Sequence, residues 1–269
     1  NIHTVGEEIL YTALRKIAAR INTGRGESAL VVFNPSAWKR DDALKVKLDF
    51  ENAETLQILD LEGNLILSQV IEENGDKFLV FFAKDVPALG YKTYQVRRSE
   101  ASERNNEIET DLIVDNNLLE NEFYRVQIDP KTGCLSSIMD KRNKVEVLDG
   151  SKQGNLLEIY EDEPPKDAPG GGEPAWNIYL GKRMALELSE IKIHEKGPVK
   201  SSLRIIKKFG GSTFIQDVIL YTCTPRVDFE LRIDWHERFK FAKVSFPLNL
   251  SNSYATYEIP SVSYTHLTL

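Results

Sequence analysis

A cluster of carboxylates beside a tryptophan is the part of the sequence best suited to chemistry. Glu161-Asp-Glu163 is followed by Asp167, and Trp176 comes shortly after. Retaining glycosidases use two carboxylates about 5–5.5 Å apart, one as nucleophile and one as acid/base. Such groups also hydrogen-bond sugar hydroxyls while an indole stacks on an apolar sugar face. A solvated turn beside a core aromatic residue fits the pattern equally well, so both interpretations stand.

His236 is the histidine whose neighbours most resemble those of a general base or a metal ligand, because it lies within Asp234-Trp-His-Glu237. None of the 4 histidines belongs to an HxH, HExxH or HxxE arrangement, so we propose no metal. A structural hydrogen bond at a strand end is the favoured role of His236. The sequence also has no GxSxG motif and no glycine-rich phosphate loop.

One amphipathic helix is predicted over residues 5–22, because apolar residues recur there at the i, i+3, i+4, i+7 spacing. Thr4 and Glu7 have the spacing of a capping box at its start. Gly24 and Gly26 offer the positive φ that commonly ends a helix. A single helix with an exposed apolar stripe is marginal in water and needs partners, and the sequence contains no second helical pattern.

Short apolar runs separated by turn residues follow the helix and predict a mainly β protein. In the first β region, the strong hairpin signal Asn74-Gly75 is one of the turns, and the predicted strands are Ala29–Phe33, Leu44–Phe50, Thr55–Leu59, Lys77–Ala83 and Tyr91–Arg97. These strands indicate a small antiparallel β domain over residues 27–98. The polar segment 99–110 is predicted to be a linker.

A second β region is predicted to form a large antiparallel β-sandwich over residues 111–260. Its strands are Glu122–Ile128, Leu135–Asp140, Leu156–Glu161, Met184–His194, Val199–Phe209, Thr213–Thr222, Val227–Trp235 and Lys243–Leu248. In the strand that ends at Trp235, strict alternation predicts that the indole faces the core. The Gly- and Pro-rich segment 164–174 interrupts the pattern and has the composition of a functional loop or an insertion.

Charge and composition exclude some classes of partner. The 269 residues carry 34 Lys plus Arg against 41 Asp plus Glu, a net charge of -7, which disfavours binding to nucleic acid. The longest apolar runs are far shorter than the roughly 20 residues that span a bilayer. Cys134 and Cys223 are interpreted as buried inert thiols rather than a disulfide, which favours a reducing compartment.

Several segments, in this order and spacing, resemble the C-terminal half of glycoside hydrolase family 38, the α-mannosidases. They are Val31–Arg40, Pro87–Tyr94, Leu119–Val126, Gly133–Lys141, Gly154–Pro164, Ala175–Ile178, Gly197–Val199, Ile233–Glu237, Lys243–Pro247 and Ala255–Glu258. The resemblance implies a zinc-dependent retaining exo-glycosidase with an N-terminal β/α domain, a helical bundle and C-terminal β domains. The large domain would then resemble a mutarotase-like supersandwich.

The same resemblance assigns roles to parts of this chain. Residues 1–26 would be the last helix of the bundle, and residues 261–269 depart from the family so strongly that we expect a non-native tail. The family's nucleophile, acid/base and zinc ligands lie upstream, so no catalytic residue and no metal ligand is predicted here. The segment around Trp176 matches a family stretch that borders the sugar cleft. We therefore predict the substrate contacts Trp176, Asn177, Asp162 and Asp167.

The function predicted from these features is that of a non-catalytic C-terminal portion of an α-mannosidase-like enzyme, inactive as a fragment. It would pack on a missing catalytic domain, complete a cleft for an α-mannoside or oligosaccharide, and bind neither nucleic acid nor membrane. Zinc would belong to the full-length enzyme, with none bound by this chain, and a cytoplasmic location is expected. The alternative is a stand-alone carbohydrate-binding β-sandwich module without hydrolase activity.

Overall fold

The structure is a computed structural model that describes residues 2–23, 28–47, 56–73, 75–98, 110–168, 176–251 and 254. The chain divides into two compact units. Unit 1 contains the chain up to Phe123, together with Lys192–Arg204 and Asp217–Glu230. Unit 2 contains Tyr124–Ile191, Ile205–Gln216 and the described residues from Leu231 onward. The described chain is mostly β, which confirms the predicted fold class.

Helix α1 spans Ile2–Ala18 and therefore begins earlier than the predicted helix. Thr4 lies inside its first turn, so the capping-box interpretation is wrong, because an N-cap residue must precede the helix. Apolar side chains of α1, including Ile9, Leu10 and Ile17, are exposed, and no residue of the helix is buried. No helix among the described residues is long and apolar enough to cross a bilayer.

Seven strands of unit 1 form two antiparallel sheets. They are β1 (Ser28–Asn34), β2 (Arg40–Lys47), β3 (Leu56–Leu59), β4 (Leu65–Ile66), β5 (Ser68–Glu73), β6 (Asp76–Val86) and β7 (Gly90–Arg98). The sheet orders are β1-β7-β3-β4 and β2-β6-β5. Side chains of both sheets form one core, in which Phe81 of β6 meets Tyr94 of β7 edge to face at 5.3 Å. The first β region is thus a small sandwich.

The hairpin predicted at Asn74-Gly75 is confirmed by the register, since Glu73 of β5 pairs with Asp76 of β6. Gly75 has a φ of 83°, which glycine adopts without steric cost. The sequence pattern does not predict strands β4 and β5. Strand β4 has only two residues, and β5 ends in polar residues that weaken the alternating pattern.

Asn34, the last residue of β1, holds two loops of the small sandwich together. Its Nδ2 donates to the carbonyls of Trp38, Val86 and Pro87 at 2.8, 3.1 and 3.1 Å. Its Oδ1 accepts from the amide N of Ser36 at 3.0 Å. The side chain is 5% exposed, so these bonds satisfy backbone groups that water reaches poorly. The Asn34 side chain therefore links two of the segments that resemble family 38, Val31–Arg40 and Pro87–Tyr94.

Twelve further strands complete the described fold. They are β8 (Ile113–Asp115), β9 (Leu118–Glu120), β10 (Tyr124–Ile128), β11 (Leu135–Asp140), β12 (Val145–Glu146), β13 (Leu156–Asp162), β14 (Leu180–Met184), β15 (Glu187–Glu195), β16 (Lys200–Phe209), β17 (Ser212–Tyr221), β18 (Val227–Asp234) and β19 (Lys240–Ser245). In unit 2, β12-β11-β10 and β14-β13-β19 are hydrogen-bonded in these orders. The long strands β15 to β18 form a four-stranded sheet in chain order.

Several predictions for the second β region need correction. The strand predicted over Met184–His194 is two strands, β14 and β15, with a break after Met184. Trp235 does face the core as predicted, since it packs edge-on against buried Phe214 at 6.1 Å, but its side chain stays 36% exposed. Both cysteines are free, but only Cys134 is buried; Cys223 is exposed, so the prediction of two buried thiols is half wrong.

The domain boundaries drawn from the sequence remain predictions. The linker predicted over residues 99–110 falls outside the described residues except for Thr110, and the tail predicted over residues 261–269 falls wholly outside them. Gly24 and Gly26, the predicted end of the helix, also lie outside the described residues.

Candidate functional site

A cavity of about 390 Å³ lies in unit 2, beside the carboxylate cluster noted in the sequence. Its wall combines carboxylates, lysines and aromatic rings from three segments of the chain: Glu161, Glu163, Lys166, Tyr179, Phe239 and Lys240, together with two prolines and Gly181. The first segment leaves the end of β13, the second leads into β14, and the third leads into β19. The antiparallel order β14-β13-β19 brings these segments together at one edge.

Strand alternation decides which carboxylates reach this cavity. Successive side chains of a strand point to opposite faces, so Glu161 and Glu163 share a side that Asp162 does not. Asp162 instead accepts a hydrogen bond from the amide N of Tyr179 at 2.7 Å, and its own amide N donates to the carbonyl of Phe239 at 2.9 Å. Asp162 therefore positions two aromatic residues of the cavity wall.

Two backbone features shape the wall. Phe239 has a φ of 52°, a left-handed conformation that is rare for an aromatic residue and that the bond from Asp162 helps to hold. Gly181 lies so close to Glu161 that an added Cβ would be 3.0 Å from the Glu161 Cβ. A side chain at position 181 would therefore push against the carboxylate arm.

The other predicted substrate contacts lie near this region without lining the cavity. Trp176 is 86% exposed, and Asn177 and Asp167 are also exposed. Ala175 and the glycine triplet of the predicted loop lie outside the described residues. Within the part of the chain that the structure describes, the cavity wall includes none of the four predicted contacts, and their role in binding stays a prediction.

The cavity has the composition of a site for a polyhydroxylated ligand. Carboxylates accept hydrogen bonds from hydroxyl groups, lysines donate them, and Tyr179 and Phe239 offer apolar surface to a sugar ring. Glu161 and Glu163 belong to the carboxylate cluster noted in the sequence, with Glu163 expected on the rim of the site, whereas Tyr179 and Phe239 are not among the residues predicted from the sequence. Alternation along the predicted strand ending at Glu161 could have separated the two glutamates from Asp162, whereas nothing local signals Phe239.

His236 has the structural role that the sequence analysis favoured. It follows the end of β18, its amide N donates to Ser212 Oγ at 2.8 Å, and its Nε2 lies 3.0 Å from Asp234 Oδ1. Glu237 accepts from the amide N of Gly211 at 2.9 Å and from the Ser212 hydroxyl at 3.1 Å. Among the described residues, no three His, Cys, Asp or Glu side chains converge as a metal site would require.

Comparison with known proteins decides the family. The description "Glycosyl hydrolases family 38 C-terminal domain" matches residues 119–261, more than half of the chain. The chain belongs to glycosyl hydrolase family 38. Two curated members of similar sequence are alpha-mannosidase 2C1 of Mus musculus, 29% identical over 147 residues, and alpha-mannosidase of Saccharomyces cerevisiae, 29% identical over 158 residues. Each match covers 52% of this chain and 14% of the relative.

A solved structure of similar fold supports the architecture. An alpha-mannosidase from Enterococcus faecalis V583 matches 93% of this chain and 35% of its own with a TM-score of 0.70 at 16% identity. At this identity the likeness concerns the fold alone. The family 38 chain described here thus spans a minor part of the relatives that it matches, and the activity of a whole protein has to be proposed.

Proposed function

We propose that this family 38 chain is the non-catalytic C-terminal portion of an α-mannosidase-like retaining glycoside hydrolase. It packs on a catalytic domain encoded elsewhere in the full-length protein and completes the cleft that binds an α-mannoside or oligosaccharide. The family match over residues 119–261, with curated relatives named alpha-mannosidase, carries this proposal. The catalytic pair and the metal-binding residues belong to the part of the enzyme upstream of this chain.

The chain's contribution to the cleft is the carboxylate and aromatic wall. Glu161 and Glu163 accept hydrogen bonds from sugar hydroxyls, and the rings of Tyr179 and Phe239 cover an apolar sugar face. In this proposal, the exposed side chains of Trp176, Asn177 and Asp167 contact the ligand outside the cavity wall, and Asp162 positions Tyr179. Exposed Trp176 is available for stacking, as the sequence analysis proposed.

Zinc is proposed for the full-length enzyme and not for this chain. The described residues do not fit a zinc site, because zinc needs three or four converging ligands and they contain no such group. His236, which lies among carboxylates in the sequence, bonds to Ser212 through its backbone amide, and its imidazole pairs with the Asp234 carboxylate. No step of the reaction is assigned to residues of this chain.

Hydrolysis of an aryl α-mannoside by the purified chain tests the non-catalytic role. We expect no release of the aryl alcohol above a blank, with or without added zinc. In the full-length enzyme, Glu161→Gln and Trp176→Ala should raise KM with a smaller effect on kcat, because they remove binding contacts. Trp38→Ala, at another exposed tryptophan, is the matched control. Turnover by the isolated chain that persists after purification and chelation contradicts the proposal.

A stand-alone carbohydrate-binding module is the second candidate, favoured by one observation: every residue of the cavity wall comes from unit 2 of this chain. Calorimetric titration with mannose and mannobiose separates the two functions. A binding module retains saturable affinity that Trp176→Ala abolishes and Trp38→Ala leaves intact. If the chain only completes a cleft together with a catalytic domain, the isolated chain should give no saturable binding heat with either sugar.

A further inference from the structure

A cysteine and a lysine lie side by side in the interior of unit 2, away from the proposed sugar site. Lys207 of β16 points its Nζ at the Sγ of Cys134, which directly precedes β11, and the two atoms are 3.3 Å apart. Lys207 is 3% exposed and Cys134 is 1% exposed. The thiol also makes a weak contact of 3.8 Å with the carbonyl of Thr132.

The lysine has an unusual environment. Buried lysines are almost always paired with a carboxylate, because desolvation of an ammonium group is costly. In the ranges of the chain that the structure describes, no carboxylate comes within ion-pair distance of Lys207, and its polar partner is the Cys134 sulfur. The function proposed for the family 38 chain does not use this pair.

The turn before β11 is built to let the two side chains approach. Gly133 has a φ of 64°, and an added Cβ would lie 3.2 Å from Lys207 Cε and 2.8 Å from Ile205 Cγ2. The carboxylate of Asp129 holds the same turn by accepting from the amide N of Lys131 at 2.8 Å. A side chain at position 133 would therefore adopt a strained backbone conformation and crowd Ile205 and the lysine stem.

A cavity of about 190 Å³ gives small molecules access to the pair. Cys134 and Lys207 both line it, and exposed Lys131, Arg183 and Ala185 stand at its rim. A water molecule occupies about 30 Å³ of liquid volume, so hydrogen peroxide, which is only slightly larger, fits this space. The pair is therefore shielded from macromolecules while remaining open to a small oxidant.

We propose that Cys134 and Lys207 are a modification site at which peroxide forms a reversible covalent S–N cross-link. Hydrogen peroxide first oxidises the thiol to a sulfenic acid and is itself reduced to water: Cys–SH + H₂O₂ → Cys–SOH + H₂O. The Lys207 ammonium releases a proton to solvent, and the free amine attacks the sulfur: Cys–SOH + H₂N–Lys → Cys–S–NH–Lys + H₂O. The sulfur loses two electrons, and the chain loses two hydrogen atoms.

The bond ties strand β16 to the turn that precedes β11. A thiol reductant opens it by attacking the sulfur, which releases the lysine amine and leaves a mixed disulfide that a second thiol reduces. The adjacent amine captures the sulfenic acid before further oxidation to the irreversible sulfinic acid. The pair thus responds to peroxide reversibly.

Peptide mass spectrometry of the Cys223→Ser chain tests the cross-link without interference from the exposed thiol. The chain is treated with hydrogen peroxide, unfolded, alkylated and digested with trypsin. We expect the Cys134 peptide joined to the Lys207 peptide, about 2 Da lighter than the sum of the two reduced peptides. We also expect loss of cleavage after Lys207 and recovery of both reduced peptides after dithiothreitol.

Lys207→Met and Cys134→Ser, each made in the Cys223→Ser background, are matched variants that remove one partner. Lys207→Met should give over-oxidised Cys134 in place of the cross-link. Sulfinic acid at Cys134 with normal trypsin cleavage after Lys207 in the parent chain overturns the proposal, whether or not the variants fold. A link heavier by one oxygen atom overturns the direct S–N bond.

Discussion

Asn34 is a single buried amide on which two loops of the small sandwich depend. Asn34→Ala removes four hydrogen bonds and leaves the carbonyls of Val86 and Pro87 without their donor. We expect the free energy of unfolding to fall by about 1–3 kcal/mol, because unsatisfied buried polar groups keep their full desolvation cost. Urea denaturation followed by circular dichroism measures the change.

Asn64→Ala is the matched control for this amide. Asn64 is exposed, and the substitution removes its side-chain bond from Nδ2 to the Asp60 carboxylate, which water replaces, while the bond from the Asn64 backbone amide to Asp60 remains. Asn64→Ala should lower the free energy of unfolding by less than Asn34→Ala does. Equal losses for the two variants would show that the Asn34 bonds contribute no more than an exposed turn.

Gly133 is needed both for its backbone conformation and for its missing side chain. Gly133→Ala forces an L-residue to a φ of 64° and places Cβ 2.8 Å from Leu188 Cδ1. We expect a loss of about 2–4 kcal/mol, since left-handed backbone and overpacking each cost about 1–3 kcal/mol. Gly63 has a φ of 89°, and a Cβ added there would have no atom within 4 Å. Gly63→Ala is therefore the control that measures the cost of the left-handed backbone without a steric clash. Identical melting temperatures for the two variants would contradict the steric part.

At the scale of elements, a carboxylate joins the short strand β12 to β11. Glu146 Oε1 accepts from the amide N of Ile138 at 2.8 Å and of Leu148 at 3.0 Å, and Oε2 accepts from the Ser137 hydroxyl. Burial alone would raise the pKa of Glu146, but these hydrogen bonds outweigh it and hold the pKa below its ordinary 4.5. The charged form therefore stabilises the pairing.

A lowered pKa fixes the direction of the pH dependence. The stabilisation from Glu146 is present above pH 4.5 and is lost as the pH falls through the lower pKa of the folded state. We expect Glu146→Gln to lower the unfolding free energy by about 1–3 kcal/mol at pH 7, with the difference from the parent narrowing as the pH falls below 4.5. Urea titrations at pH 7 and at a series of lower pH values measure it. Glu8→Gln in α1 should show neither effect, and a constant difference for Glu146→Gln refutes the linkage.

The elements also show what the sequence could predict. Apolar runs bounded by turn residues predict β6, β11 and β17 near their observed bounds, because consecutive buried positions, as in β6 and β17, require continuous apolar sequence. Strands of two residues, such as β4 and β12, are not predicted, because two residues are too few to show a periodic pattern, even though each pairs with the strand just before it. The site was found only as a carboxylate cluster, since Phe239 joins it through a long-range sheet contact.

For the whole molecule, solubility depends on both the net charge and the exposed apolar side chains of α1. At pH 7 the net charge of -7 keeps molecules apart, whereas near the isoelectric point of about 5.3 this repulsion vanishes. Exposed Leu10 and Ile17 then favour association. We expect light scattering to peak near pH 5.3 and Leu10→Ser with Ile17→Ser to reduce the peak. Thr12→Ser, at an exposed polar position of α1, should leave it unchanged; equal scattering from all variants contradicts a role of the stripe.

The unequal surroundings of the tryptophans give the chain a built-in optical reporter. Trp38 and Trp176 are 66% and 86% exposed, while Trp235 rests on the buried ring of Phe214. The fluorescence of the first two is accessible to an aqueous quencher such as iodide, and the emission of Trp235 shifts to the red when its contact with Phe214 breaks. Because Trp235 is itself 36% exposed, the difference in quenching between a Trp38→Phe chain and its Trp176→Phe derivative follows the proposed sugar-binding loop, while the spectral shift follows unfolding around Phe214.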